Sequence, residues 1–212
     1  VLEKGHIKTM RDFSGLAFRV AREVIGCSSP LLRFLIGERG LPLSTLLVSP
    51  PRCGKTTLLR DLTRSFANSL NVALVDERSE VAACYRGVPQ LDVGMRTDVL
   101  DGCPKASGMI MAVRALAPQL VVADEIGRPA DIEAINECVN AGVAVITTVH
   151  AHTLEELYRR PLMADLMNSG AFQLAVLLSR RHGPGTVEAI HRLNPCAEPQ
   201  RRPQGSKLAG IQ

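Results

Sequence analysis

From residue 45 onward, short apolar runs alternate with helix-length amphipathic segments, and this rhythm leaves the chain few folds. Runs at 45–48, 72–75, 120–123, 143–148 and 172–178 read as strands. Between them, 56–70, 108–116, 131–140, 154–158 and 162–168 read as helices, and 87–104, rich in Gly, Pro and Asp, reads as a long loop. Strands that alternate with helices run parallel and are joined by crossovers. The expected fold class is therefore α/β, a mostly parallel central sheet with helices on both faces. Gly183-Pro184-Gly185 turns the last run back into 187–190, which adds a C-terminal β-hairpin.

Ligands of such sheets bind at the carboxyl ends of the strands. Four of these ends are polar here: the loop at 49–56, Asp76 with Glu77, Asp124 with Glu125, and Thr148 with His150. The main domain is expected over 45–193. Residues 1–44 read as the remnant of an N-terminal domain and a linker, with an amphipathic stretch at 18–25 and a short helix at 31–36. Residues 194–212, with prolines at 195, 199 and 203, read as a flexible tail. The chain opens on Val1 rather than a methionine, as expected of a piece that lacks its natural start.

A hydrophobic content of 46% allows a full core, and no apolar run approaches the length of a membrane span, about 20 residues. With no charged-then-apolar leader at the front, the expectation is a soluble, cytoplasmic protein. Net charge is +4, compatible with an anionic partner but selecting none. The six cysteines include no Cys-x-x-Cys pair, which argues against structural zinc and for reduced thiols.

The stretch VSPPRCGKTT, residues 48–57, has the parts of a phosphate-binding loop: a strand before, a turn, a lysine, a hydroxyl and a helix after. Gly54 lets the backbone approach phosphates, Lys55 would reach the β and γ phosphates, and Thr56 would bind Mg²⁺. Ser49, Pro50, Pro51, Arg52, Cys53 and Thr57 complete the segment expected to touch nucleotide. Ser49 stands where the pattern G-x-x-x-x-G-K-[ST] has its first glycine. The position begins the turn rather than touching the transferred phosphate, so a small serine is tolerable there.

In LVVADEIGR, 120–128, an apolar strand ends in two carboxylates. Asp124 is expected to hold the Mg²⁺ water shell and Glu125 to orient and deprotonate the attacking water. In LVDERSEV, 74–81, Asp76, Glu77 and Glu80 could position metal or water, or could form a solvated acidic loop. In ITTVHAHT, 146–153, Thr148 and His150 could sense the γ-phosphate, with His152 competing for that role. Arg86, Arg96, Arg114 and Arg128 are expected near these strand ends, as candidates for an arginine supplied across a subunit interface.

The order of these motifs resembles that of secretion-type ATPases, the motors of type II and type IV secretion and of pilus assembly. More closely, the chain from about 45 to 192 resembles the stage III sporulation protein AA family. The resemblance is carried by VDERSEVAACYRGVPQLDVGMRTDVLDGCPKASGM (75–109), VADEIGRPADIEAINECVNAGV, ITTVHA, RRP at 159–161 and LSRRHGPGTVEAI. It implies a RecA-like P-loop NTPase core, Mg-dependent ATP hydrolysis and a homo-oligomeric ring, often six-membered. It also implies work with other proteins of a channel complex between mother cell and forespore during endospore formation, peripheral to the membrane on the mother-cell side. By the same resemblance Lys55 and Thr56 match the phosphate loop, Glu77 and Glu80 the Asp box, Glu125 the Walker B glutamate and His150 the His box. Secretion ATPases often carry Gly before the Walker B glutamate, whereas this chain carries Asp124.

Two other readings compete with an Mg-ATP hydrolase. One is an ATP-binding ring scaffold with little hydrolysis. The other is a RecA-like nucleic-acid motor, which the absence of Trp and the presence of only two Tyr and five Phe disfavour, because few stacking platforms for bases remain.

Overall fold

The computed structural model describes residues 22–38 and 40–193, together with 2–3, 6–7, 12, 14 and 15. Buried apolar runs form the strands β3 (Thr45–Ser49), β4 (Val72–Asp76) and β6 (Leu120–Ala123), following β1 (Leu2–Glu3) and β2 (His6–Ile7), a separate antiparallel pair. Every residue of β3, β4 and β6 is buried, as strands covered on both faces require. With β5 (Thr97–Asp101), β7 (Ala144–His150), β8 (Leu174–Ser179) and β9 (Thr186–Arg192) they form one seven-stranded sheet in the order β5-β4-β6-β7-β3-β8-β9. All neighbours are parallel except β8 and β9, the expected C-terminal hairpin.

Helices cover both faces. On one side α1 (Ser29–Leu35) and α2 (Lys55–Phe66) pack Leu31, Leu35, Leu58, Leu59, Leu62 and Phe66 against Leu47, Leu74, Val122 and Ile146. On the other, α3 (Lys105–Leu116), α4 (Pro129–Asn140), α5 (Leu154–Tyr158) and α6 (Pro161–Asn168) pack Met109, Ile135, Leu157 and Leu166 against Val48, Val75, Val121 and Val145. Alternate residues of each strand thus serve two cores, and burying one such leucine contributes roughly 1.5–3 kcal/mol.

The expected long loop at 87–104 contains β5. Its alternation of half-buried and exposed residues suits an edge strand with one neighbour, β4, and its two aspartates hide the apolar pair Val99 and Leu100. Helix α3 starts at Lys105, earlier than 108. Gly108 marks a close approach rather than a boundary, since a Cβ there would lie 2.5 Å from a Val75 methyl on β4. Helix α4 starts at Pro129 because the Asp131 carboxylate accepts the Gly127 and Arg128 N–H groups at 3.0 Å each.

Of the stretch expected as an amphipathic segment at 18–25, residues 22–25 form no helix and the rest lies outside the described residues. The expected flexible tail at 194–212 lies outside them as well. The five described cysteines are free, and among the described residues no helix is long and apolar enough to cross a membrane.

Candidate functional site

Parallel pairing brings the carboxyl ends of β3, β6 and β7 to one edge, with Ser49 opposite His150 and Ala123 opposite Thr147. A cavity of about 740 Å³ opens there. Its walls are Pro51 to Thr57, with Arg78, Glu80, Asp124, Glu125, Thr148, His150 and Pro184.

The loop from β3 to α2 bends through left-handed conformations at Arg52 (φ 61°) and Gly54 (φ 84°). Gly54 is the N-cap of α2 and supplies no side-chain cap, so the helix opens toward the cavity with its first N–H groups available to an anion. A side chain at 54 would also collide with the hairpin turn, since a Cβ would lie 2.9 Å from the Gly185 nitrogen. That nitrogen donates to the Cys53 carbonyl at 2.7 Å, so the β8–β9 turn buttresses the loop.

Lys55 is buried, and its Nζ donates to the Ser49 carbonyl, the Ser49 hydroxyl and the Pro50 carbonyl, each at 3.1 Å. Its fourth neighbour is His150 Nδ1 at 2.9 Å. Burial lowers the lysine pKa, opposed by the nearby Asp124 charge. An ammonium only donates, so His150 accepts at Nδ1 and a neutral imidazole carries its proton on Nε2, 3.6 Å from Glu125 Oε1. Ser49 therefore contributes a hydroxyl that a glycine could not, as an acceptor for the lysine.

Asp124 sits between two hydroxyls. Thr56 Oγ1 donates to its Oδ2 at 2.9 Å, and Thr148 Oγ1 to its Oδ1 at 2.5 Å. Thr148 Oγ1 in turn accepts the Glu125 N–H at 2.9 Å. Glu125 has φ 52°, a left-handed conformation that costs a non-glycine residue about 1–3 kcal/mol. The cost is offset by its N–H bond to Thr148 and by the Lys105 ammonium, which donates to its carbonyl at 2.6 Å. The carboxylate is left at the cavity, with Arg78 3.2 Å from Oε2.

Most of the residues expected from sequence converge. Lys55, Thr56, Asp124, Glu125, Glu80 and His150 share the cavity with Pro51, Arg52, Cys53, Gly54 and Thr57. Ser49 and Pro50 contribute through Lys55. Glu77 lies apart: its oxygens face Lys105 and Arg128, each at 3.5 Å, and it lines smaller cavities behind Glu125. Asp76, on the same strand end, is buried and closes its own loop by accepting the N–H groups of Glu80, Val81 and Ala82 at 2.8–3.0 Å.

Two arginines expected at this edge are elsewhere. Arg96 precedes β5 and donates to Asn71 ahead of β4, at the amino end of the sheet. Arg114 lies in the last turn of α3, 4.0 Å from Glu137. Their spacing from acidic strand ends in sequence misleads because a parallel strand begins at the opposite edge from where its predecessor ends. Arg86 stands at an exposed turn with its guanidinium over the Tyr85 ring, and Arg128 pairs with Glu77.

Arg78, Lys105 and Pro184 were not identified by the sequence reading. Arg78 is embedded in the acidic run at 76–80, and Lys105 is the first residue of a helix; nothing local ties either to Glu125, 47 and 20 residues away in the chain.

Residues 1–195 match the family model described as Sporulation stage III, protein AA. Stage III sporulation protein AA of Bacillus subtilis (strain 168) is 42% identical over 197 residues, covering 90% of this chain and 64% of that protein. Among solved structures, the ATPase DotB of Legionella pneumophila is similar with a TM-score of 0.57 and 17% identity, over 75% of this chain and 48% of that one. The VirB11 ATPase of the Brucella suis type IV secretion system is similar with a TM-score of 0.58 and 15% identity, over 78% and 52%. The chain thus spans just under two thirds of the Bacillus protein and about half of each secretion ATPase. The fold is that of the RecA-like secretion ATPases.

Proposed function

This chain belongs to the stage III sporulation protein AA family, and from that membership and its site we propose that it is an Mg-dependent ATPase. The observation that carries the proposal is the convergence of Lys55, Thr56, Asp124, Glu125 and His150, from three strand ends, on one cavity at the mouth of α2.

The donor set suits the proposed ligands. Thr56 and Asp124 offer a hydroxyl and a carboxylate 2.9 Å apart, hard oxygen donors that fit Mg²⁺. Among the described residues no cluster of three or more His, Cys, Asp and Glu forms a metal cage. Magnesium is commonly held by one or two such oxygens and completes its shell with phosphate oxygens and water. Bound there, the ion would neutralise charge developing on the transferred phosphoryl group.

The chain's own residues do the rest. Lys55 leaves the Ser49 and Pro50 carbonyls and His150 to meet the β and γ phosphates, exchanging neutral acceptors for anionic ones. Glu125, aimed into the cavity, orients a water and takes its proton. His150, relieved of the lysine at Nδ1, reports on the γ-phosphate while its Nε2 faces Glu125. Glu80 lines the same cavity and assists in ordering water. Family membership further supports a homo-oligomeric, hexameric ring acting with other proteins of a mother cell to forespore channel complex, peripheral to the membrane on the mother-cell side. We propose residues 45–193 as the ATPase domain.

Mg-dependent phosphate release from ATP, measured over a range of protein concentrations, tests this. Glu125→Gln should keep nucleotide affinity within a few fold and lower turnover by about 10²–10⁴. Lys55→Ala should lose nucleotide binding. Tight ATP binding with no phosphate release by the parent chain would select the scaffold reading instead. Steeply salt-dependent binding to single strands would select the nucleic-acid motor.

A further inference from the structure

Lys105 is placed against two physical preferences at once. It is buried, with 8% of its surface exposed, and it opens helix α3, where the helix dipole disfavours a cation. No side-chain cap accompanies it at that helix start. What holds it there is a pair of contacts across the fold: its Nζ donates to the Glu125 carbonyl at 2.6 Å and reaches Glu77 Oε2 at 3.5 Å. Arg128, 3.5 Å from the other Glu77 oxygen, fixes that carboxylate from the far side.

The backbone of Glu125 is thereby gripped at both ends. Its N–H goes to Thr148 Oγ1, the next N–H, of Ile126, goes to the Thr148 carbonyl at 2.9 Å, and its own C=O is taken by Lys105. The residue so gripped is the one with φ 52°, a conformation a glutamate does not hold without support. Without the lysine the carbonyl would lose its partner, and the two bonds to Thr148 alone would oppose the turn of the peptide back toward the ordinary right-handed region, so that it would be made more often. That rotation would swing the carboxylate off the cavity edge where Asp124 and the phosphate loop converge.

We propose that Lys105 is a positioning residue for Glu125, with Glu77 and Arg128 as the pair that holds the lysine in place. It acts through the backbone, touches neither nucleotide nor metal, and sets how much of the time the Glu125 carboxylate is aimed at the attacking water. The inference rests on the ATPase reading above. Glu77 thereby acts behind the catalytic glutamate rather than beside the nucleotide, which is why it lies outside the main cavity while Glu80 lines it.

The test uses the full chain and follows single-turnover and steady-state phosphate release together with binding of a fluorescent ATP analogue. Lys105→Met should lower kcat by about 10- to 100-fold and leave the KM for ATP and the analogue's affinity within about threefold. Lys105→Arg, still able to donate to the carbonyl, should recover at least a third of the parent kcat. Combined with Glu125→Gln, Lys105→Met should add less than a twofold further loss, because the group being aimed is already gone. A Lys105→Met protein with parent kcat overturns the proposal, as does Lys105→Arg no faster than Lys105→Met when both melt at the parent temperature. If Lys105→Met does not fold, Lys105→Leu against Lys105→Arg carries the same comparison, since leucine too has no donor. A parent chain that binds the analogue but releases no phosphate in magnesium overturns the ATPase reading itself, a result distinct from a Lys105 variant that keeps pace with an active parent.

Discussion

Strands β4 and β6 lie side by side in the sheet and both lead into Asp-Glu, yet the two pairs meet opposite surroundings. On β4, Asp76 is buried and saturated by three backbone N–H groups, and Glu77 is held between Lys105 and Arg128. After β6, Asp124 meets two hydroxyls at the cavity wall, and Glu125, with a left-handed backbone, lines the same cavity as the β3–α2 loop. The carboxylates are chemically identical. The donors folded against them differ, and these decide whether a carboxylate closes a loop or remains available to metal and water.

Neutralising each aspartate in turn would break or sharpen this contrast. Asp124→Asn should lower Mg-dependent turnover by about 10²–10³ while shifting the melting temperature little, because the amide oxygen can still accept from Thr148 and the amide NH2 can donate to the Thr56 hydroxyl, which turns to accept. Asp76→Asn should do the reverse: about 2–3 kcal/mol of stability lost in urea unfolding, as an acceptor of three amides gives way to a group that also donates. Equal stability losses in the two variants would erase the distinction.

Asp61 on α2 offers a third case, a structural carboxylate that reports on itself by pH. Burial would raise its pKa, but hydrogen bonds from the Ser28 hydroxyl and amide, the Gly26 amide and Arg64 outweigh that and bring it from 3.8 to about 2. A depressed carboxylate pKa contributes stability that is present above about pH 4 and lost as pH falls toward 2. The contribution is about 2 kcal/mol. Urea midpoints compared between pH 5 and pH 2.5 should fall less steeply in Asp61→Asn than in the parent, and parallel lines would refute the assignment.

The smallest effects belong to the amino edge of the sheet. Arg96→Ala and Arg114→Ala, at the far end from the cavity, should change kcat less than twofold, and a tenfold loss in either would restore it as a candidate for catalysis.

The sequence by itself determined the class of fold, because residues 120–123 and 72–75 are too short and too uniformly apolar for anything but strands buried on both faces. It also determined the turn into α2, where Arg52 and Gly54 take left-handed conformations and Lys55 folds back on Ser49 and Pro50, because those contacts are local in the chain. Strand β5 was not legible, because an edge strand with one neighbour needs little apolar surface and its aspartates read as loop. The roles of Asp76, Glu77, Arg78 and Lys105 were decided only by the tertiary structure. Each depends on donors or acceptors that lie on other segments or loops, and hydrogen bonding and charge act through space, over distances that chain separation does not encode.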